Sequence, residues 1–288
     1  VAFEEIASSL VGEDLSCSEG SRLPSFDVIG NVTTRLLRLL FPRSHRNELV
    51  GEGDLMSLVP GHLALVYADL KVEIEAALAV DGALGERPRQ ERSDEVAMAL
   101  LRALPNIRDT LEKDAEEVME HDPAAKSRDE ILLAYPGIKA LTVHRLAHFV
   151  WQQDIPFIPR MMSELVHSQT GIDIHPGAEI APYCSIDHGT GLIIGETTVI
   201  GEHVSLYQNV TLGAKDVTPE YRGQKRHPTI GSHVVIYAGA TVLGDIEVGD
   251  NTVIGGNVIL FESCPANSRV FNKRPEMVFR KNGKGPKV

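Results

Sequence analysis

Aromatic residues are scarce in this sequence, 5% of the chain with a single tryptophan, which favours a core of many small aliphatic layers over one built around large rings. Cysteine is scarcer still. Cys17, Cys184 and Cys264 are too few and too far apart for a disulfide framework or a thiolate metal site, and they point to a reducing, cytoplasmic setting. No run of about 18 apolar residues occurs, so no membrane-spanning helix is expected. The opening VAFEEIASSLVGEDLS lacks the basic-then-apolar order of a secretory signal, and without secretion the sequons at Asn31 and Asn209 carry no meaning. Positive charge is short overall, and the formal net charge of −12 weighs against nucleic acid as a partner. The exception is the C-terminal end, where Arg269, Lys273, Arg274, Arg280, Lys281, Lys284 and Lys287 face a single acid, Glu276. That stretch, 269–288, reads as a basic tail, either solvated or touching an anionic ligand.

What is present falls into two periods. Up to about residue 170 the apolar residues recur at helical spacing, as in PGIKALTVHRLAHFVWQQ, where Ile138, Leu141, Leu146, Phe149 and Val150 share a face. Ser127 to Glu130 matches a capping box before ILLAY, and Pro136 suits the first turn of the next helix. Residues 1–170 are therefore expected to form a helical domain, with polar linkers such as GALGERPRQERSDE between helices.

After Gly171 the period becomes six. Ile174, Ile180 and Ile186 begin three hexads, and Ile194, Ile200, Leu206 and Leu212 begin four more after a two-residue slip. Ile230, Ile236, Val242, Val248, Ile254 and Leu260 then give six in unbroken register. Hexapeptide periodicity marks a parallel β-helix with three faces per coil, and thirteen hexads predict about four coils over 171–268. Between Leu212 and Ile230 the stretch 213–229 has no apolar register and carries six charges, so it reads as a protruding loop.

The segment GIDIHPGAEIAPYCSIDHGTGLIIGETTVIGEHVSLYQNVTLGA, continued by KRHPTIGSHVVIYAGATVLGDIEVGDNTVIGGNV and preceded by HDPAAKSRDEILLAYPGIKALTVHRLAH, resembles the serine acetyltransferase signature over about residues 115–265. General handedness would make the coil right-handed. The resemblance instead implies the left-handed parallel β-helix of the hexapeptide acyltransferases, behind a helical N-terminal domain. It also implies acetyl transfer from acetyl-CoA directly to the L-serine hydroxyl, without a metal. A hydroxyl nucleophile needs a general base poised near neutrality, which suits His188, with Asp173 orienting its other ring nitrogen. Serine must also be held by acids and an Arg, and the resemblance implies Asp187 and Asp122 at the ammonium and hydroxyl end and Arg226 and His227 at the carboxylate end. The lesser alternative for Asp122 is a cap on a helix turn before Pro123. Gly213, Ala214, Ala238 and Ala240 match positions along the acetyl-CoA groove between neighbouring β-helices. The usual glycine pair is Gly213-Ala214 here, and the loop after it is longer and more charged.

The resemblance further implies a homotrimer or a dimer of trimers, and inhibition by L-cysteine. A complex with O-acetylserine sulfhydrylase is doubtful, because Val288 stands where many members end in Ile. Other readings weigh less. His144 and His148 have the spacing of a zinc pair, but Arg145 stands where a catalytic glutamate belongs and the stretch is amphipathic. A zinc-dependent carbonic anhydrase on the same fold requires His175, His203 and His233 to converge. A non-catalytic scaffold has no use for the Asp173 and His188 pair.

Overall fold

Chains of good helix formers with buried apolar stripes become six α-helices among the described residues: α1 (Phe26–Leu40), α2 (Glu52–Asp81), α3 (Glu86–His121), α4 (Arg128–Ala134), α5 (Pro136–Trp151) and α6 (Ile158–Thr170). The computed structural model describes residues 22–42, 52–216, 218, 220 and 223–273, without the side chains of 52–57 and 81. Cys17, the tail beyond Lys273 and Val288 lie outside the described residues. None of the described helices is long and apolar enough to cross a membrane.

The expected linker around Arg87 is mostly helix, since α3 begins at Glu86. Its Glu, Arg and Gln residues are strong helix formers, and the Arg87–Glu91 pair at 3.0 Å spans one turn. Ser127 caps α4 by accepting the Glu130 N–H at 3.2 Å, while Glu130 reaches back to the N–H of Lys126 at 2.9 Å, one residue before the cap. Pro136 opens α5 as expected. That helix is buried on more than the predicted stripe, because Ala140, Val143, His144 and Ala147 are buried alongside Ile138, Leu141, Leu146 and Val150. It lies between α3, α6 and the first coil.

α6 ends at Gly171 in the left-handed region (φ 70°), and the coil starts two residues later. All strands are parallel. Sheet one stacks β1 (Asp173–Ile174), β4 (Ile193–Ile194), β7 (Thr211–Gly213), β10 (Thr241–Leu243) and β13 (Ile259–Leu260). Sheet two stacks β2 (Glu179–Ile180), β5 (Val199–Ile200), β8 (Thr229–Ile230) and β11 (Glu247–Val248). Sheet three stacks β3 (Cys184–Ile186), β6 (Val204–Leu206), β9 (Val235–Ile236), β12 (Val253–Ile254) and β14 (Arg269–Val270). Each predicted hexad start falls in one of β1 to β13, and most of these side chains are buried inside the coil. The coil count is about five rather than four. Cys264 bridges Val248 only four residues after Leu260, and β14 follows six later, so a two-residue shortening hid the last turn from the period. The charged loop joins β7 of sheet one to β8 of sheet two, so it adds length without adding a coil.

The helical region is clamped onto the first coil by a buried ion pair. Arg145 of α5 donates from Nε and Nη2 to both carboxylate oxygens of Asp114 of α3, at 2.7 and 2.8 Å. The same guanidinium donates to the carbonyls of Ile180 and Ala181, and Asp114 accepts the Cys184 N–H at 3.0 Å. Close approach is also enforced at Gly137, where a Cβ would fall 2.2 Å from the carbonyl oxygen of Ile186. Asp114→Ala leaves Arg145 desolvated and unpaired and is expected to lower unfolding stability by about 3–5 kcal/mol in denaturant titration. Arg87→Ala, which removes an exposed pair, should cost less than about 1 kcal/mol.

Candidate active site

The three sheets meet at three edges: one to two, two to three, and three to one. Asp187 and His188 follow β3 on the third edge. There the sequence inserts two residues, the slip seen between Ile186 and Ile194. His188 (φ 56°) takes the left-handed conformation together with Gly189 and Gly191 (both 77°), an arrangement that costs glycine little. The resulting bulge lifts the imidazole off the coil, leaving its side chain 69% exposed with Nδ1 3.8 Å from Asp187 Oδ1. Gly191 N–H donates to Gly171 O at 2.7 Å, so the bulge rests on the strand leading into Asp173.

The end of α3 delivers Asp122 to the same edge. Asp122 caps the helix C-terminus, accepts the Ala124 N–H at 2.8 Å and accepts the Tyr135 hydroxyl at 2.6 Å. These bonds, with the nearby His188, hold its carboxyl below the usual carboxylate range. The same bond pushes the Tyr135 phenol up to about 12. A narrow cleft lies between the two elements, lined by Val118, His121, Asp122, Ser185, Asp187 and Tyr207. Burial and the neighbouring Asp187 raise the Tyr207 phenol. With two carboxylates on its walls, the cleft suits a cationic group.

Asp173 stands at the start of β1. Its carboxylate lies within 4.8 Å of ligand atoms of Glu164 and His167, on the last turns of α6. No hydrogen bond or ion pair joins it to His188, whose ring is turned outward toward Asp187.

Arg226 and His227 close the loop ahead of β8, on the first edge. Arg226 is ion-paired with Glu196. His227 is buried over Gly195, where an added Cβ would fall 2.0 Å from ring atom Cδ2, so only glycine admits the ring. Burial and the adjacent Arg226 bring its pKa down to about 4, leaving it neutral near pH 7. The Thr197 N–H donates to Nδ1 at 3.1 Å, so the ring proton resides on Nε2, a donor fit for a carboxylate.

The expected residues thus form two groups. Asp122, Asp187 and His188 come together on the third edge, whereas Arg226 and His227 lie on the first. A face runs about six residues between edges, roughly 20 Å when extended, far longer than an amino acid. The groove candidates divide in the same way, with Gly213 and Ala214 toward the first edge and Ala238 and Ala240 on the third. Ala240 is wholly buried, its N–H given to Tyr237 O and its carbonyl taken by Thr211, so its side chain adds no surface. His203 and His233 stack on the second edge with ring centroids 4.8 Å apart, while His175 lies on the first against Trp151, so these three histidines do not converge within the chain. His144 is fully buried and neutral by desolvation, and His148 is engaged by Pro176 O at 2.8 Å and by Gln152. Tyr135, Tyr207, His121, Glu196 and Thr197 were not singled out by the sequence. Tyr135 stands directly before the helix-opening Pro136, and only its bond to a residue thirteen positions away reveals its part.

Residues 227–261 match the family model described as bacterial transferase hexapeptide (six repeats). A plasmid-borne serine acetyltransferase of Synechococcus elongatus is 43% identical over 257 residues, 85% of this chain and 81% of the relative. The serine acetyltransferase of Helicobacter pylori is 47% identical over 163 residues, 57% of this chain and 93% of the relative. Among solved structures, serine acetyltransferase isoform 3 of Entamoeba histolytica, in complex with cysteine, superposes with a TM-score of 0.74 at 31% identity, covering 97% of this chain and 94% of that one. Serine acetyltransferase 1 of the same organism, in complex with L-cysteine, gives 0.73 at 34% identity over 90% and 92% of the two chains. On repeat, fold and sequence together, the chain belongs to the serine acetyltransferase family, enzymes that acetylate the serine hydroxyl.

Proposed function

We propose that the third-edge cleft and the first edge of a neighbouring copy together form the site at which acetyl passes from acetyl-CoA to L-serine, giving O-acetyl-L-serine and CoA. The support for this reading is the meeting of Asp122, Asp187 and His188 at one cleft. The two carboxylates hold the serine ammonium. His188 takes the hydroxyl proton as Oγ attacks the thioester carbonyl; the carbon–sulfur bond then breaks, and the imidazolium returns the proton to the CoA thiolate. Asp173 orients His188 once the ring turns inward, since the bulge already rests beside its strand. Arg226 and the neutral Nε2–H of His227 bind the serine carboxylate.

Because the two groups lie on different edges, one chain cannot close on a single amino acid. A homotrimer that sets the first edge of one chain against the third edge of the next resolves this, and it lets the pantetheine arm run between Gly213, Ala214 and the strand carrying Ala238 and Ala240. Exposed Ile193, Ile259, Tyr237 and Phe271 on sheet one and the third edge support such an interface. Leu58, Leu65 and Val72, exposed at seven-residue spacing on α2, support pairing of two trimers. The free thiols of Cys184 and Cys264 fit a reducing cytoplasm. Cysteine, which occupies the two Entamoeba structures, carries the same ammonium and carboxylate as serine and is proposed to inhibit from the same clamp.

His188→Ala is expected to lower kcat by about 10²- to 10⁴-fold with little change in serine KM, and Asp173→Asn by less. Near-normal turnover by His188→Ala would remove it as the base. Composition across chains is tested by mixing His188→Ala and Arg226→Ala chains through unfolding and refolding and assaying at serine far below the raised KM of Arg226→Ala, where each variant alone is nearly silent. Random trimers regain about a quarter of the sites if each needs one residue from each neighbour, and none if both residues serve one chain's own site. Asp187→Asn should raise serine KM and cysteine Ki together by about tenfold or more. Cysteine inhibition that stays as strong while serine KM rises would show separate sites.

A further inference from the structure

The last turn of α3 carries a group of ligand atoms that acetyl transfer does not use. Glu117, Glu120 and His121 stand at i, i+3 and i+4 on one helix face, each offering a donor atom within 4.8 Å of the others. Glu117 is 1% exposed. One carboxylate oxygen, Oε2, accepts from His203 Nδ1 at 2.8 Å, across the junction with the coil. The other, Oε1, is buried and accepts no hydrogen bond. Its neighbour is His121 Nδ1 at 3.3 Å, a nitrogen that also faces the Glu117 carbonyl at 3.0 Å. A buried carboxylate oxygen whose one polar contact is a 3.3 Å ion pair rather than a hydrogen bond is under-satisfied, and this one belongs to a group with ligand atoms of Glu120 and His121 within 4.8 Å.

We propose that this turn binds a divalent first-row transition cation through Glu117 Oε1, a Glu120 carboxylate oxygen and a ring nitrogen of His121. Two carboxylates and an imidazole make a borderline donor set that suits zinc and its neighbours better than magnesium or calcium, which take oxygen ligands. His203 holds the far carboxylate oxygen, the outer hydrogen bond that ligating carboxylates commonly receive. The negative pole of α3 favours positive charge at this end. His121 also lines the cleft with Asp122 and Asp187, so an ion here places positive charge in the wall of the proposed ammonium pocket and weakens serine binding.

The test uses the full chain, stripped with chelator and titrated with Zn²⁺ near neutral pH by calorimetry and by competition with a chromophoric chelator, with circular dichroism to confirm folding. We expect one Zn²⁺ per chain, weakened about tenfold or more by Glu120→Gln and by His121→Ala. His167→Ala, in the Glu164, His167 and Asp173 group, should leave the affinity unchanged. Co²⁺ in the unsubstituted chain should give visible bands that His121→Ala abolishes. Serine KM should rise with Zn²⁺. The proposal is overturned if the unsubstituted chain binds no Zn²⁺, in which case a proton on His121 serves the Glu117 acceptors instead. Wild-type affinity in Glu120→Gln and His121→Ala, or loss in His167→Ala alone, also overturns it by moving the ion elsewhere. Because the readout is metal binding, failure here leaves the acetyl-transfer reading untouched, and failure of the His188 test leaves this one untouched.

Discussion

The charge pair between Asp114 and Arg145 fixes where the helical region meets the coil. Asp114 is fully buried, and burial alone pushes its carboxyl up; the two-pronged guanidinium and the Cys184 N–H oppose that push. Isolated in the interior, either charge would cost several kcal/mol. Together they leave little slack, because every nitrogen of the guanidinium and both carboxylate oxygens bond a partner elsewhere in the chain. Eight residues along α3 from Asp114 stands Asp122, and three residues along the chain from Cys184 stands Asp187. Since a helix and a strand are both stiff over such lengths, the carboxylate pair of the cleft inherits its spacing from this anchor. Gly137 adds the steric half of the same constraint by letting α5 touch the Ile186 carbonyl.

The two proposed halves of the site are prepared in opposite ways. On the first edge His227 is buried, neutral and tied to Thr197 by its ring and by its backbone, so its donor direction is set before any ligand arrives. On the third edge His188 projects into solvent from a left-handed bulge, where its ring is free to change partner. A carboxylate anchor gains from rigidity, since every hydrogen bond it makes can be aimed in advance. A base that takes a proton and returns it gains from the reverse.

Much of the coil was legible because its interior is a one-dimensional repeat. Nearly every hexad buries the aliphatic side chain at its start, and the chain cannot alter that interval without moving to another face. The last turn escaped because the step from Leu260 to Cys264 is two residues short. The start of α3 escaped because charged helix formers carry no apolar stripe. For the site, motif residues such as Asp187 and His188 could be named from sequence. The residues that brace the surroundings could not, because Tyr135 on Asp122, Glu117 on His203 and Arg145 on Asp114 act through contacts thirteen to eighty-six residues away that leave no local mark. The division into two edges lay hidden for a different reason. It follows from counting faces modulo three, and that count is reliable only once the loop after β7 is known to add no coil.

That loop and the bulge at His188 are both insertions, and both fall at edges of the coil. A face must keep its length, or the strands above and below lose register; an edge only has to turn the chain toward the next face. Each coil touches just the coils beside it, so extra residues at an edge disturb neither the interior nor distant turns. Lineages can therefore lengthen, shorten or recharge these corners independently of stability, and new chemistry can be tried there without refolding the scaffold. The corner is where this architecture can be edited, and the proposed base, His188, is written in one of its most editable positions.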